Sequence, residues 1–292
     1  MPDEARGVEV PRPYDFDASL RFVPCGLHDP SCRLGPGVLW RAARTPDGPV
    51  TLQLAAAPGR VHVAAWGPGA GWVVRRAQAL LGLQDDPAAF APAPGPLATL
   101  ARRGRGLHLV RSPWVFDTLC QFVLQQRVSF RDAARAHRHL VRRLGERAPG
   151  PSGLLLPLAP HHWLRASSED YRRAGVDGER AGRLRTAARE AKAIDDTFNR
   201  EHRSARAVLA AIPGCGPWTV GMVMGFALAD ADAVPVGDLH LPSQVARALV
   251  GEPRADDTRM RALLEPHRGH RFRLIRLLLA TGRIRLGHGV RH

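Results

Sequence analysis

Apolar and polar positions change their period along this chain. In the first third they alternate. Val50-Thr51-Leu52-Gln53-Leu54 and Val61-His62-Val63-Ala64-Ala65-Trp66 carry the two-residue period of half-buried strands. Gly35-Pro36-Gly37, Pro46-Asp47-Gly48-Pro49, Pro58-Gly59 and Gly67-Pro68-Gly69 punctuate them as turns. A helix is expected over 72–83, and 87–96, with four prolines and four alanines, reads as a connector.

Beyond it the period becomes helical. Ser112-Pro113 reads as an N-cap with proline at the first helical position, and Phe116, Leu119, Cys120, Val123 and Leu124 follow at helical spacing. Further helices are expected over 130–144 (closed by Gly145), 180–194, 204–212, 218–227, 242–250 and 268–280. No repeat of fixed period is evident. The fold class is mainly α, with an N-terminal α+β domain over 1–95 and an all-helical domain over 96–292.

Charge sharpens this division. The net charge is +15, yet residues 1–95 hold 9 basic and 9 acidic side chains, and the remainder hold 33 and 18. A polyanion such as nucleic acid is the expected partner of the second part. Arginine supplies 41 of the 42 basic residues, so the codon bias of a GC-rich genome is the alternative explanation for the level of charge, though not for its segregation. The acidic start, Met1-Pro2-Asp3-Glu4, is followed by no apolar run, so no secretory signal is expected. No membrane span is expected either. Four scattered cysteines, Cys25, Cys32, Cys120 and Cys215, give no disulfide framework and suit a reducing cytoplasm.

Candidate chemistry concentrates in one stretch. Leu209-Ala210-Ala211-Ile212-Pro213-Gly214-Cys215-Gly216-Pro217-Trp218-Thr219 sets a Gly-x-Gly turn between two apolar helices. Glycines let a backbone approach a bulky ligand, and amides at the start of the second helix attract an anion such as a DNA phosphate. An ordinary helix–helix connection is the alternative. Downstream, Ala233-Val234-Pro235-Val236-Gly237-Asp238-Leu239-His240 places a carboxylate beside a proline and a glycine. Asp230 and Asp232 read as solvated loop residues.

The run Leu209-x-x-Ile212-Pro213-Gly214-x-Gly216-x-Trp218-Thr219, with Val234-Pro235-x-x-Asp238, resembles the helix-hairpin-helix, Gly/Pro-rich, aspartate superfamily of DNA glycosylases, its hairpin falling over 204–227. Leu124-Gln125-Gln126-Arg127-Val128-Ser129 is similar to that family's Gln-rich helix and loop. Pro13-Tyr14-Asp15-Phe16, with Leu20 and Phe22, resembles the start of the AlkA-like branch, the bacterial 3-methyladenine DNA glycosylases of type II, and 81–87 resembles that branch's exit from its N-terminal domain.

The resemblance implies a monofunctional enzyme that flips an alkylated base out of duplex DNA and hydrolyses its glycosidic bond in base excision repair. Asp238 is then the catalytic carboxylate, since breaking that bond develops an oxocarbenium-like sugar that a fixed anion stabilises; the alternative is a cap on the following helix. Trp218 and Phe22 are carried over as walls of the base pocket, with core packing as the alternative. Gln126, Arg127, Pro213, Gly214, Gly216 and Thr219 are the expected DNA-binding residues: Gln126 on the orphaned base or the strand, Arg127 where relatives place an apolar wedge. Bifunctional relatives carry a lysine where this chain has Trp218, and the single lysine, Lys192, lies some twenty residues before the hairpin on an expected helix, so no lysine-based lyase is expected. The branch also has a tryptophan on its C-terminal helix; here only Phe272 offers a ring.

No cofactor is required, although hairpin carbonyls in this family hold a monovalent cation. A monomer acting on damaged double-stranded DNA, cytoplasmic and nucleoid-associated in a bacterium, is implied. Cys25-x-x-His28-x-x-x-Cys32 is a faint zinc pattern without a fourth ligand, and no cysteine after Cys215 can build the iron–sulfur loop of endonuclease III-type relatives. His267-Arg268-x-His270-Arg271 reads as a basic helix start facing DNA or solvent. The rival readings are a glycosylase for oxidised or deaminated bases and a silent DNA-binding protein on the same fold.

Overall fold

The computed structural model describes residues 1–23 and 25–285; the last seven positions of the expected second domain lie outside that range. Strand β1 (Glu4–Glu9) and helix α1 (Phe16–Leu20) precede four consecutive strands, β2 (Cys32–Gly35), β3 (Val38–Thr45), β4 (Gly48–Ala57) and β5 (Arg60–Trp66). They form one antiparallel sheet in the order β1-β5-β4-β3-β2. The two strands expected from alternation are parts of β4 and β5. Val61, Val63 and Ala65 face inward while Arg60 and His62 face solvent, as a two-residue period requires.

The inner face is covered by Phe16 and Leu20 of α1 and by α2 (Ala70–Val74) and α3 (Ala77–Leu80) through Val73, Ala77 and Leu80. The single helix expected over 72–83 is therefore two. The break falls at Arg75-Arg76, where the Arg76 guanidinium lies 3.8 Å over the Trp72 ring and donates to the Trp72 carbonyl. The expected connector opens with a 3₁₀ turn, Pro87–Ala89, and its last proline starts α4 (Pro96–Arg103).

The rest is helical: α5 (Val115–Gln125), α6 (Phe130–Leu144), α7 (Pro160–Arg165), α8 (Ser168–Arg173), α9 (Gly178–Arg189), α10 (Ala191–Asp195), α11 (His202–Ala210), α12 (Pro217–Phe226), α13 (Leu241–Val250), α14 (Asp257–Leu264) and α15 (Arg271–Ala280). α5 runs through the middle, packed against α6, α9, α10 and α12, with Phe116, Leu119, Cys120, Val123 and Leu124 buried. A separate apolar cluster joins α13, α14 and α15 and takes in Phe90 and Leu100; Val110 and Trp114 lie in the sheet's cluster. Among the described residues no helix is long and apolar enough to cross a membrane.

Two further expectations are corrected. Ser112-Pro113 does not start α5. The Phe116 amide in its first turn instead donates to Asp195 Oδ1 at 2.8 Å, so the cap comes from α10, and the Ser112 hydroxyl accepts from Trp114 N in a local turn. The helix expected over 180–194 breaks at Glu190 between α9 and α10. The short elements α1, α7 and α8 were not anticipated, because five or six residues are too few to display a period.

Candidate active site

The hairpin is α11, the turn 211–216 and α12. Its two glycines do different things. Gly214 has φ +88, which L side chains rarely adopt, and a Cβ there would meet Arg183 at 2.5 Å. Gly216 has φ −71, and a Cβ built on it would meet nothing within 4 Å. Folding therefore does not require glycine at Gly216; the open space above its backbone is free for a ligand. Pro213, Gly214, Gly216 and Pro217 are exposed, and Pro217 occupies the first turn of α12.

A third glycine positions the carboxylate. At Gly221 a Cβ would lie 2.7 Å from Pro235 Cα, so its absence lets the returning chain 234–235 lie against α12. That close approach brings Asp238 beside Trp218, one helical turn earlier. Asp238 Oδ2 accepts from Trp218 Nε1 at 2.8 Å, and Oδ1 accepts from the backbone N–H groups of His240 (2.9 Å) and Leu241 (2.8 Å). Asp238 therefore does cap α13, as the alternative reading had it, but with one oxygen. Its other oxygen is oriented by the indole in the cleft. Gly237 N is held by Asp257 Oδ2 at 2.9 Å, which braces the turn from behind.

The Gln-rich loop forms part of the same cleft. Gln126 is buried and its amide is fully engaged: Nε2 donates to the Gly214 carbonyl (3.0 Å) and to Thr219 Oγ1 (2.9 Å), and Oε1 accepts from Arg183 (2.6 Å). Thr219 is 2 % exposed. The expectation that Gln126 and Thr219 present side chains to DNA is thus corrected: they clamp the hairpin to the end of α5. Arg127, the next residue, turns outward. It has φ +60, uncommon for a side-chain-bearing residue, and its exposed guanidinium lies 3.6 Å from Glu179.

Together these segments line a cleft of about 1180 Å³ that includes Arg127, Gly214, Gly216, Trp218, Asp238 and Leu239. Phe22 does not reach it. Behind Trp218 an aromatic chain runs through Phe122 (6.0 Å) and Phe226 (5.7 Å) to Phe22 (5.5 Å), with Phe272 edge-on to Phe226 at 5.1 Å. Phe22 instead lines a small internal cavity of about 50 Å³ between the sheet and the helices. There the buried Arg276 guanidinium lies 4.7 Å over its ring, its pKa lowered to about 10 by burial. Arg183, Phe122 and Arg276 escaped sequence reasoning. Each sits in a helical pattern that looks like an ordinary solvated or core position.

The faint zinc pattern is not assembled. Cys25 and Cys32 are buried, with burial raising both thiol pKa values, whereas His28 is exposed. Glu146, His161 and His162 do approach one another, but His162 Nδ1 accepts from Ala159 N (3.1 Å), leaving its proton on Nε2 facing Glu146 at 3.2 Å. A ring so protonated is no metal ligand. The basic start of α15 is also partly internal: Arg271 pairs with Asp232, Arg268 with Glu265, and His267 and His270 pack on Phe90. Lys192 is exposed on α10, paired with Asp196 at 2.7 Å, and does not line the cleft.

No protein-family model and no curated protein matches the sequence. The fold does have relatives. The structure is similar to a 3-methyladenine DNA glycosylase from Archaeoglobus fulgidus, with a TM-score of 0.78 and 22 % identity over 94 % of this chain and 98 % of that one. MBOgg1 in complex with a low-affinity DNA ligand gives 0.74 and 13 % identity, covering 96 % and 95 %. An 8-oxoguanine glycosylase/lyase of Clostridium acetobutylicum bound to duplex DNA gives 0.71 and 13 %, covering 97 % and 98 %. The chain thus has the helix-hairpin-helix DNA glycosylase fold, an N-terminal α+β part followed by a helical body.

Proposed function

We propose that this chain is a monofunctional DNA glycosylase that removes alkylated, 3-methyladenine-type bases from duplex DNA in base excision repair. The observation that carries the reading is Asp238: a carboxylate held by an indole N–H and two backbone N–H groups, in a large cleft beside an open hairpin.

The chemistry follows from that arrangement. An extruded nucleotide brings its sugar over Asp238. As the bond from C1′ to the base breaks, positive charge grows on the sugar, and a carboxylate already fixed in place stabilises it without reorganising. The cationic base departs as a neutral molecule with the bonding electrons; water then adds to C1′ and its proton leaves through the carboxylate. The Trp218 ring, beside the reacting centre, suits a cationic alkylated base. The exposed hairpin turn and the first amides of α12 hold a phosphate, with Gly216 allowing close approach. Arg127 is the residue placed to fill the gap left by the base.

The absence of a lysine from the cleft favours hydrolysis without strand cleavage. A glycosylase for oxidised bases is the second reading, favoured by the comparable likeness to the 8-oxoguanine glycosylase/lyase structure. No cofactor enters the scheme. A monovalent cation on the hairpin would be held by backbone carbonyls of the turn 211–216, whose second lone pairs stay open even where one accepts a hydrogen bond, as at Ile212 and Gly214. The division at 95/96, a monomeric state and a cytoplasmic, nucleoid-associated location belong to the same proposal.

The test is release of free base from duplexes carrying 3-methyladenine, 8-oxoguanine or uracil. Release from the alkylated duplex, an intact abasic strand and no borohydride-trapped adduct are expected. Release of 8-oxoguanine alone would favour the second reading. No release from any of them would leave a silent DNA-binding protein.

A further inference from the structure

Leu239 is 85 % exposed, although it follows Asp238 directly and lines the same cleft. Its neighbours explain how such a side chain is kept out of the core. Asp238 is fixed on one side by three hydrogen bonds, and Leu241, on the other, is buried under α13 at 1 % exposure. Gly237, with φ +95, turns the chain and is tied to Asp257. The side chain between these anchors must point away from the protein. Among the described residues the only other large apolar side chains more than half exposed are Met1, Leu27 and Val250, none of which lines this cleft.

An apolar side chain in water on a backbone anchored at both ends is poised to be covered, because little backbone freedom remains to be lost when a partner packs on it. The partner that comes closest to Asp238 under the proposed function is the nucleotide being extruded. Its extrusion exposes the faces of the neighbouring bases, which are apolar. We propose that Leu239 is a DNA-contacting positioning residue that packs against the base step beside the extruded nucleotide and holds it open over Asp238. Arg127 and Leu239 then act as two plugs of different chemistry, one a planar cation and one aliphatic, carried by separate segments of the cleft.

This inference rests on the glycosylase reading for its ligand but can fail separately from it. The experiment compares wild type with Leu239→Ala and Leu239→Met in two measurements. The first is single-turnover excision of the alkylated base from a duplex and from the same sequence as a single strand. The second is the fluorescence rise of 2-aminopurine placed beside an abasic analogue, which reports unstacking without catalysis. Leu239→Ala should lose about tenfold in excision from the duplex and much less from the single strand, because only the duplex step must be pried open. It should lose the fluorescence rise as well, and Leu239→Met should recover most of both. Equal losses on the two substrates, or an unchanged fluorescence rise in Leu239→Ala, would overturn the proposal. If wild type released no base yet Leu239→Ala still abolished the fluorescence rise, the glycosylase reading would fall and the wedge would stand.

Discussion

Along the cleft, groups that a stable fold would hide or avoid are turned outward: an aliphatic side chain at Leu239, a left-handed Arg127, and a glycine at Gly216 that no packing demands. In the seam between the sheet and α5–α6 the opposite holds. Asp29, almost fully buried, accepts from Cys25 N (2.7 Å) and Ser31 N (2.8 Å) and faces His137 at 3.3 Å, while Arg41 lies 3.7 Å from Asp117. Burial pushes the Asp117 carboxyl up to about 6, and burial would raise Asp29 too, but His137 and its backbone donors more than reverse this. The charged groups of the seam pair with one another, although Ser31 Oγ and Arg41 Nε are left without a partner, whereas the cleft leaves an oxygen, an amide or a side chain for something else. A cleft substitution should therefore alter activity with little change in stability, and a seam substitution the reverse.

The largest expected effect is at the cleft. Asp238→Asn should slow single-turnover base release by about 10²–10³-fold, the loss typical of one fixed electrostatic stabiliser. Its urea midpoint should stay close to that of wild type, since asparagine keeps an oxygen for the α13 cap. Near-normal excision would remove Asp238 from the mechanism.

In the seam, Asp29→Ala should cost on the order of 3 kcal/mol of unfolding free energy, because it strands two buried N–H groups and an imidazole. Urea denaturation reads this directly. Excision per folded molecule in the cold should remain near that of wild type. A large rate loss there would show that the seam and cleft are coupled and break the comparison.

Gly216→Ala sharpens the contrast. Its φ of −71 suits alanine and the added methyl meets no protein atom, so stability should fall by no more than about 1 kcal/mol, the cost of alanine at an N-cap. Affinity for duplex DNA should nonetheless fall about tenfold, by fluorescence anisotropy, if a phosphate lies over that backbone. Unchanged affinity would move the phosphate elsewhere.

A further effect separates by pH. Asp195, pushed up to about 7 by burial, caps α5 from α10. As pH rises from the ordinary carboxylate range towards 7, the unfolded chain gives up this proton before the folded one does. The folded state then binds more protons, and stability falls with pH. Asp195→Asn keeps the acceptor and removes the titration. Its gain in thermal midpoint over wild type should be small at pH 4, grow to pH 7 and then level off. A gain independent of pH would exclude ionisation as its cause.

Sequence by itself determined whatever is written in local spacing. The alternation in β4 and β5 and the helical periods of α6, α12 and α13 follow from which side chains must be hidden from water. The Gly-x-Gly turn and Asp238 were legible as chemistry because small residues and a lone carboxylate stand out within a few positions of one another. Tertiary structure decided everything that depends on a distant partner. Asp195 rather than Ser112 caps α5, because α10 packs beside α5. Gln126 faces inward, because the hairpin offers its amide a carbonyl and a hydroxyl 88 and 93 residues away. Phe22 lies behind the aromatic chain, outside the cleft. The outward turn of Leu239 is likewise invisible in sequence: a leucine two residues before another leucine reads as core, and only the hydrogen bonds that pin Asp238 force it into solvent.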